Sequence, residues 1–193
     1  MTTPLIAFYG DDLTGSTDVM ESLSMRGVET VLFTDLPTDA QLARFPDARA
    51  IGVAGTSRSE TPGWMDANLP SVFEWLEARG AAITHYKICS TFDSSPDIGS
   101  IGRAAEIGRA VFGDRPVPLV VGAPQLKRWT AFGNLFAAYR GETFRIDRHP
   151  VMSRHPVTPM READLRRHLA DQTPLPVALL DSVALLADDA DTR

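Results

Sequence analysis

The sequence predicts an α/β fold: a Rossmann-like, open and mostly parallel sheet with helices on both faces. Three observations point to it. Short apolar runs alternate with helical patterns as far as Val121, which is the β-α-β-α order of such sheets. The strand runs are continuously apolar rather than alternating, as a sheet buried on both sides requires. Glycines stand where helices should stop, at Gly27, Gly80 and Gly113.

Each element has its own signal. Leu5–Tyr9 is an apolar run closed by Gly10 and reads as the first strand. Residues 16–26 repeat apolar positions at Val19, Met20 and Leu23, as an amphipathic helix does. Thr30–Phe33, Ala50–Ala54 and Ile83–Ile88 read as strands two to four, with helices at 38–45 and 64–79 between them. Pro70 should interrupt the second of those helices. Residues 98–112 form a further helix, and the very apolar Leu119–Val121 a fifth strand. Beyond Pro124 the pattern changes. Leu135–Tyr139 and Thr143–Ile146, separated by Arg140-Gly141-Glu142, predict a hairpin or a strand pair on the sheet edge. Thr158-Pro159 pairs an N-cap residue with proline at the first helical position, so a helix should run from there to about Gln172. Pro176–Leu180 reads as a last strand, and Ala187 to Arg193 should fray.

Composition bounds the function. The 193 residues carry 19 Lys and Arg against 25 Asp and Glu, a formal net charge of −6. Apolar residues make up 44%, enough for one well-buried core, so residues 1–193 read as a single domain. No apolar run reaches a membrane-spanning length, and Met1 to Gly10 has no basic region of a signal peptide, so a cytoplasmic protein off the membrane is expected. One cysteine, Cys89, excludes an internal disulfide and an all-cysteine metal site. Overall acidity argues against nucleic-acid binding. The charge is uneven: residues 1–100 hold 6 basic and 14 acidic side chains, and residues 101–193 hold 13 and 11. The basic stretch from Lys127 to Arg167 suits a small anionic ligand or a solvated face.

Ligands of such sheets bind at the carboxyl ends of the strands. The loop Gly10-Asp11-Asp12-Leu13-Thr14-Gly15-Ser16-Thr17-Asp18 follows strand one. Asp11 and Asp12 can accept from sugar hydroxyls, and one can act as general base; the plainer reading is a helix cap by Asp12 or Thr14. Arg58 follows strand three, where its donor fork can hold a carboxylate, or it is a surface arginine. Lys87 closes strand four and Cys89, Ser90 and Thr91 follow it. Lys87 is a point charge for an anion, and Cys89 reads as a small apolar residue rather than a nucleophile. Lys127, Arg128 and Trp129 follow strand five. The four histidines match no metal signature, and the chain has no GxxxxGK[ST], GxGxxG or GxSxG.

In this order the segments resemble the four-carbon acid sugar kinase family. Asp11 to Gly15, with Asp18 shortly after, resembles the family's opening DDLTGA signature. Ser57-Arg58 resembles its serine–arginine pair, and Lys87-Ile88-Cys89-Ser90-Thr91 is similar to KxDST. Ala123-Pro124, then Arg128, Thr130 and Gly133, resemble its strand end and GRxTxxG, and Met160 to Leu169 the start of its next helix. The likeness covers residues 5–181. It departs at Cys89, where the family has aspartate, and around Asp93, where many members have arginine. The family's phenylalanine-proline after the strand is also missing. The resemblance implies ATP-dependent phosphorylation of a C4 sugar acid of the threonate, erythronate or 3-oxotetronate type. It implies ATP and Mg²⁺ in a C-terminal nucleotide-binding domain that this sequence lacks, so the domain is expected in cis or in trans. The chain alone should bind the sugar acid, hold no cofactor and not turn over; homodimers are left open. It implies that Asp11 and Asp12 contact substrate, with Asp12 as base, that Arg58 and Lys87 bind the anion, that Ser90 and Thr91 add hydrogen bonds, and that Arg128 forms the rim. The alternative is a stand-alone, non-catalytic module for an acidic metabolite. A phosphatase with Asp11 as nucleophile ranks below both, because that chemistry wants DxDGT and these acids are adjacent.

Overall fold

A computed structural model describes residues 3–186. Four parallel strands form the main sheet: β1 (Ile6–Gly10), β2 (Thr30–Phe33), β3 (Ala50–Ala54) and β4 (Ile83–Lys87), in the order β2-β3-β1-β4. The register sets Gly10 beside both Ala54 and Lys87, so three strands end at one level. Helix α1 (Leu13–Ser24) covers one face. The other is covered by α2 (Asp39–Leu42), α3 (Pro62–Glu77) and α4 (Ile101–Phe112). Strand alternation explains the division. Ala7, Tyr9, Ile51 and Val53 share a face and pack beneath α2 to α4, whereas Phe8 turns the opposite way. Phe8 lies across Gly52, where any β-carbon would strike its ring.

Pro70 does not interrupt α3; the helix runs through it. One turn of the ladder lacks a donor there, but Met65, Leu69, Phe73 and Leu76 are buried on its inner face, and that packing outweighs the local loss.

The second half builds its own small sheet. Strands β5 (Arg128–Ala131), β6 (Asn134–Tyr139) and β7 (Glu142–Arg145) pair antiparallel. Their two-residue turns, Phe132-Gly133 and Arg140-Gly141, have positive φ at both positions, the geometry that matches the twist of a tight hairpin. Leu135, Ala137 and Ile146 form a core there with Phe92, Met152, Met160 and Leu169. The predicted hairpin is therefore real, but it belongs to a separate three-stranded sheet.

Three predicted elements differ. Leu119–Val121 forms no strand, and neither does Pro176–Leu180. Pro116, Pro118, Pro174 and Pro176 remove backbone donors in those segments, and Leu119, Val120, Leu179 and Leu180 stay exposed. The helix expected from Thr158 is confined to α5 (Leu165–Ala170), capped by Asp164. Residues 160–164 are held extended instead: Met160 N–H donates to the Met152 carbonyl and Leu135 N–H to that of Ala163. A short α6 (Ser182–Leu186) follows, and the segment Ala187 to Arg193 lies outside the described residues. No helix among the described residues is long and apolar enough to cross a membrane.

Candidate functional site

The site assembles where β1, β3 and β4 end together. Asp11 N–H donates to the Lys87 carbonyl at 2.9 Å, extending the β1–β4 ladder by one residue. Arg58 N–H then donates to the Asp11 carbonyl at 3.0 Å. Backbone bonds thus fix the three loops to one another before any side chain takes part.

The side chains follow. Arg58 Nε and Nη2 donate to the two oxygens of Asp11, at 3.1 and 2.6 Å. Its Nη1 and Nη2 also donate to the two oxygens of Asp12, at 2.8 and 2.9 Å. One guanidinium therefore bridges both carboxylates with four hydrogen bonds, a bidentate geometry that a lysine cannot supply. Asp12 has a second role. Its Oδ1 accepts from Gly15 N–H at 2.8 Å and caps α1. The capping reading of Asp12 is therefore correct, and the cap leaves the same carboxylate paired with Arg58.

The two aspartates differ in exposure. The Asp11 side chain is 6% exposed and that of Asp12 27%. Burial pushes the Asp11 carboxyl above the ordinary carboxylate range, against the pull of the Arg58 hydrogen bonds and charge. Burial also works against charge on Arg58, yet its contacts with Asp11 raise its pKa above the ordinary arginine value. Asp12 is thus the more accessible carboxylate, and Asp11 holds the arginine from a buried position.

Lys87 completes the cluster. A β-carbon on Gly15 would lie 2.6 Å from Lys87 Nζ, 2.5 Å from Asp12 Oδ1 and 3.6 Å from Arg58 Nη2. Gly15 therefore leaves the gap in which the lysine ammonium and the Asp12–Arg58 pair meet. Among the described residues Lys87 makes no ion pair or side-chain hydrogen bond, so its charge stays available to a ligand. The cluster balances two carboxylates against two cations.

The other predicted residues are placed unequally. Thr91 is buried, and its hydroxyl donates to Asp93 Oδ1 at 2.5 Å, away from the crevice. Ser90 is half-buried on the same loop. Arg128 is not brought to the cluster. Its Nη1 donates to the carbonyls of Leu126 and Lys127, at 2.6 and 3.3 Å, and it lies beside His149 on the small sheet. Cys89 is half-buried rather than a core residue, and bonds Thr91.

Some contributors were given no role of their own in the sequence reading. Ser57, fully buried beside Arg58, shares a 2.9 Å hydrogen bond with Tyr86 Oη. The Tyr86 ring stacks on Tyr9 with centroids 5.8 Å apart. Strand alternation offered the signal, since Tyr86 must point opposite to Lys87 and so beneath α3. Gly99 is another: its amide donates to the Glu60 carbonyl, and its α-carbon abuts the Arg58 carbonyl.

Comparisons with known proteins place the chain in a family. A family model described as the sugar-binding N-terminal domain matches residues 6–193. The chain is 56% identical over 189 residues to the 3-oxo-isoapionate kinase of Paraburkholderia graminis, covering 98% of this chain and 40% of that protein. It is 34% identical over 175 residues to the 3-oxo-tetronate kinase of Methylobacterium radiotolerans, covering 91% of this chain and 39% of that protein. A crystal structure of a Haemophilus influenzae protein shares the fold, with a TM-score of 0.76 at 25% identity over 92% of this chain and 41% of the other. The chain thus spans about two fifths of the length of the curated relatives it matches.

Proposed function

Because the chain belongs to the four-carbon acid sugar kinase family and carries its sugar-binding N-terminal domain, we propose that the Asp11–Asp12–Arg58–Lys87 crevice binds the sugar acid of a phosphotransfer reaction. The carrying observation is the single guanidinium bridging two adjacent carboxylates beside a lysine that has no partner among the described residues, at the level where three parallel strands end. The lysine receives the carboxylate of the substrate. Asp12, the exposed member of the pair, accepts a hydrogen bond from a hydroxyl.

The mechanism follows from that arrangement. The substrate hydroxyl oxygen attacks the γ-phosphorus of ATP, the bond from phosphorus to the ADP oxygen breaks, and Asp12 takes the hydroxyl proton. Arg58 holds the Asp12 carboxylate so that one oxygen edge faces the crevice. ATP and its Mg²⁺ belong to the nucleotide-binding part of the enzyme, in cis or in trans, and this chain alone binds without turnover. Such a metabolic kinase works in the cytoplasm. The substrate is a short oxo-sugar acid of the kind named for the relatives, with 3-oxo-isoapionate favoured by the higher identity.

Calorimetric titration of the chain with 3-oxo-isoapionate, with 3-oxo-tetronate and with Mg-ATP tests this. One acid should bind and ATP should not. Asp12→Asn should abolish acid binding while leaving the fold intact, because the asparagine Oδ1 can still cap Gly15. Binding of neither acid, or equal affinity in the Asp12→Asn variant, refutes the proposal.

A further inference from the structure

Strand β4 is exposed in a way that the rest of its sheet is not. Every residue of β3 is buried, and β2, at the opposite edge, has none that is exposed. In β4, Ile83, Thr84 and His85 are exposed, Ile83 by 52%. A parallel sheet is ordinarily covered on both faces, and natural sheets guard their edges.

The hydrogen bonds give the direction of the open edge. Ile83 N–H donates to the Leu5 carbonyl at 3.0 Å, and the Lys87 carbonyl accepts from Asp11 N–H at 2.9 Å. Alternate residues of a parallel strand bond to opposite neighbours, so Ile83, His85 and Lys87 serve β1. The backbone groups of Thr84 and Tyr86 point the other way, where no strand pairs with β4 among the described residues. The side chains alternate too. Tyr86 packs against Phe73 of α3, so Ile83 and His85 stand on the α1 face and remain exposed. The usual guards are missing: Ile83-Thr84-His85-Tyr86 has no lysine, no proline and no acidic residue.

Two apolar runs add to this surface. Val117, Leu119 and Val120 are exposed, Val120 by 82%, and residues 116–122 make no backbone hydrogen bond among the described residues. Leu179 and Leu180 are exposed as well, and α6 buries none of its residues. Val121 and Val177, where the two runs meet the protein, pack into the core that Ile88 also joins as the chain leaves β4. The open edge and both apolar runs therefore adjoin one core.

We infer that the outer edge of β4, with the exposed runs Val117–Val120 and Leu179–Leu180, is the docking surface for the polypeptide that follows the matched region in the relatives. Three observations choose that occupant. The matched family model is an N-terminal domain, and about three fifths of each relative lies outside the match. The second exposed run leads towards that continuation. Ala187 to Arg193 include three aspartates and no large apolar side chain with which to cover the surface. A tethered segment also has a high effective concentration, so it outcompetes a second copy for the same edge.

The occupant supplies a strand along β4 and apolar cover over Ile83. A strand running with β4 ends level with Lys87, so the loop after it enters the crevice, as ligand-binding loops of such sheets do. That consequence rests on the reading of the crevice as the sugar-acid site; the docking itself does not.

The test compares the chain alone with the chain extended by the part of the Paraburkholderia graminis kinase that lies beyond the match. Backbone hydrogen exchange, followed by mass spectrometry without any ligand, reads residues 83–88 and 116–122. The extension should slow exchange at Thr84 and Tyr86 about a hundredfold, and slow it over 116–122 as well. Thr84→Pro removes the outward N–H and leaves the bonds to β1 in place. It should change the melting temperature of the chain alone very little and lower that of the extended protein by several degrees, as should Val120→Asp. Equal exchange with and without the extension overturns the inference. So does protection already present in the chain alone together with a dimer in analytical ultracentrifugation, which assigns the edge to a second copy. Should the extended chain not fold, the intact Paraburkholderia graminis kinase takes its place. Slow exchange in its strand aligned with Ile83–Lys87 then supports the inference, and fast exchange overturns it. No readout here involves a sugar acid, so failure of the docking and failure of acid binding are seen separately.

Discussion

The ammonium of Lys87 occupies the space that a side chain on Gly15 would need, with Nζ 2.6 Å from where the β-carbon would stand. Asp12 Oδ1 is 2.5 Å from the same point. Lys87 Nζ is the tip of a flexible side chain that can swing aside, and a small rotation of Asp12 would loosen its bonds to Gly15 and Arg58, so the fold can absorb an alanine here at the cost of a weakened cap. Gly15→Ala should therefore lower stability by only about 1 kcal/mol, while displacing Lys87 from Asp12. Affinity for the sugar acid should fall at least tenfold. Thermal denaturation and calorimetry on one preparation separate the two effects, and unchanged affinity would mean that Lys87 has no part in binding.

Histidine burial sets a pH limit on stability. His149 Nδ1 accepts from the N–H groups of Val151 and Met152, both at 3.1 Å, so it must be unprotonated. Burial holds its pKa below the ordinary value of 6.5, with nearby Arg128 acting in the same direction. Burial likewise lowers His168, which bonds Ser94, and Asp171 and Glu162 offset only part of this. The unfolded chain takes up protons near pH 6.5 that the native state refuses. Stability is thus full above that value and falls as the pH drops below it. The melting temperature should decline between pH 7 and pH 5. The decline should be shallower in His149→Asn, whose Oδ1 can still accept from the two amides. An equal slope in that variant would contradict the assignment. His85 is exposed, but partial desolvation and the charge of Lys87 also lower its pKa, so it should leave part of the slope in place.

Tyr86 supports Arg58 from below the sheet. Its hydroxyl is the side-chain partner of buried Ser57, and its ring packs on Tyr9 and edge-on to Phe73. Tyr86→Phe keeps the rings and removes only the hydroxyl. The expected cost is about 1–2 kcal/mol, since a buried serine hydroxyl loses its partner. Ser57 opens the turn that carries Arg58, so affinity should fall several-fold as well. Chemical denaturation checks the first expectation. A stability loss with unaltered affinity would show that the turn holds Arg58 in place without Tyr86.

Much of this was legible in the residues, for identifiable reasons. Three strands of the parallel sheet, β1 to β3, are short and largely apolar runs bounded by turns, so their positions followed from hydropathy, whereas β4 is mixed in polarity and exposed over its first three residues. Leu119–Val121 carries the same signal yet pairs with nothing, because hydropathy reports apolar character and not a partner. Strand β5 gave the opposite error: Arg128-Trp129-Thr130-Ala131 is mixed in polarity and pairs through its backbone. At the site, Asp11, Asp12, Arg58 and Lys87 converge because each follows a strand of one sheet. Arg128 misled because its predicted strand does not form, and its guanidinium turns to the carbonyls of its own turn. Thr158-Pro159 reads as a helix start, but Thr158 bonds His155 and the following residues lie along β6. Local signals named the elements, and tertiary pairing decided which of them were used.

Gly99 makes the sharpest test of how rigidly the site is held. Its φ is +63°, a region that alanine enters only at a cost of about 1 kcal/mol. A β-carbon there would lie 2.4 Å from the Arg58 carbonyl oxygen and 3.2 Å from its carbonyl carbon. These are backbone atoms, anchored on one side by the bond from Arg58 N–H to Asp11 and on the other by that from Gly99 N–H to Glu60. They cannot swing away as Lys87 Nζ can. Gly99→Ala should therefore cost roughly 2–4 kcal/mol in total, adding the steric displacement to the backbone strain. It should also withdraw Arg58 from both carboxylates. Gly15→Ala and Gly99→Ala then form a pair with opposite signatures, one losing affinity at near-normal stability and the other losing both. If Gly99→Ala melts like the unaltered chain and binds the acid normally, the turn bearing Arg58 is more compliant than its contacts imply. The bridge between Asp11 and Asp12 would then be a flexible one.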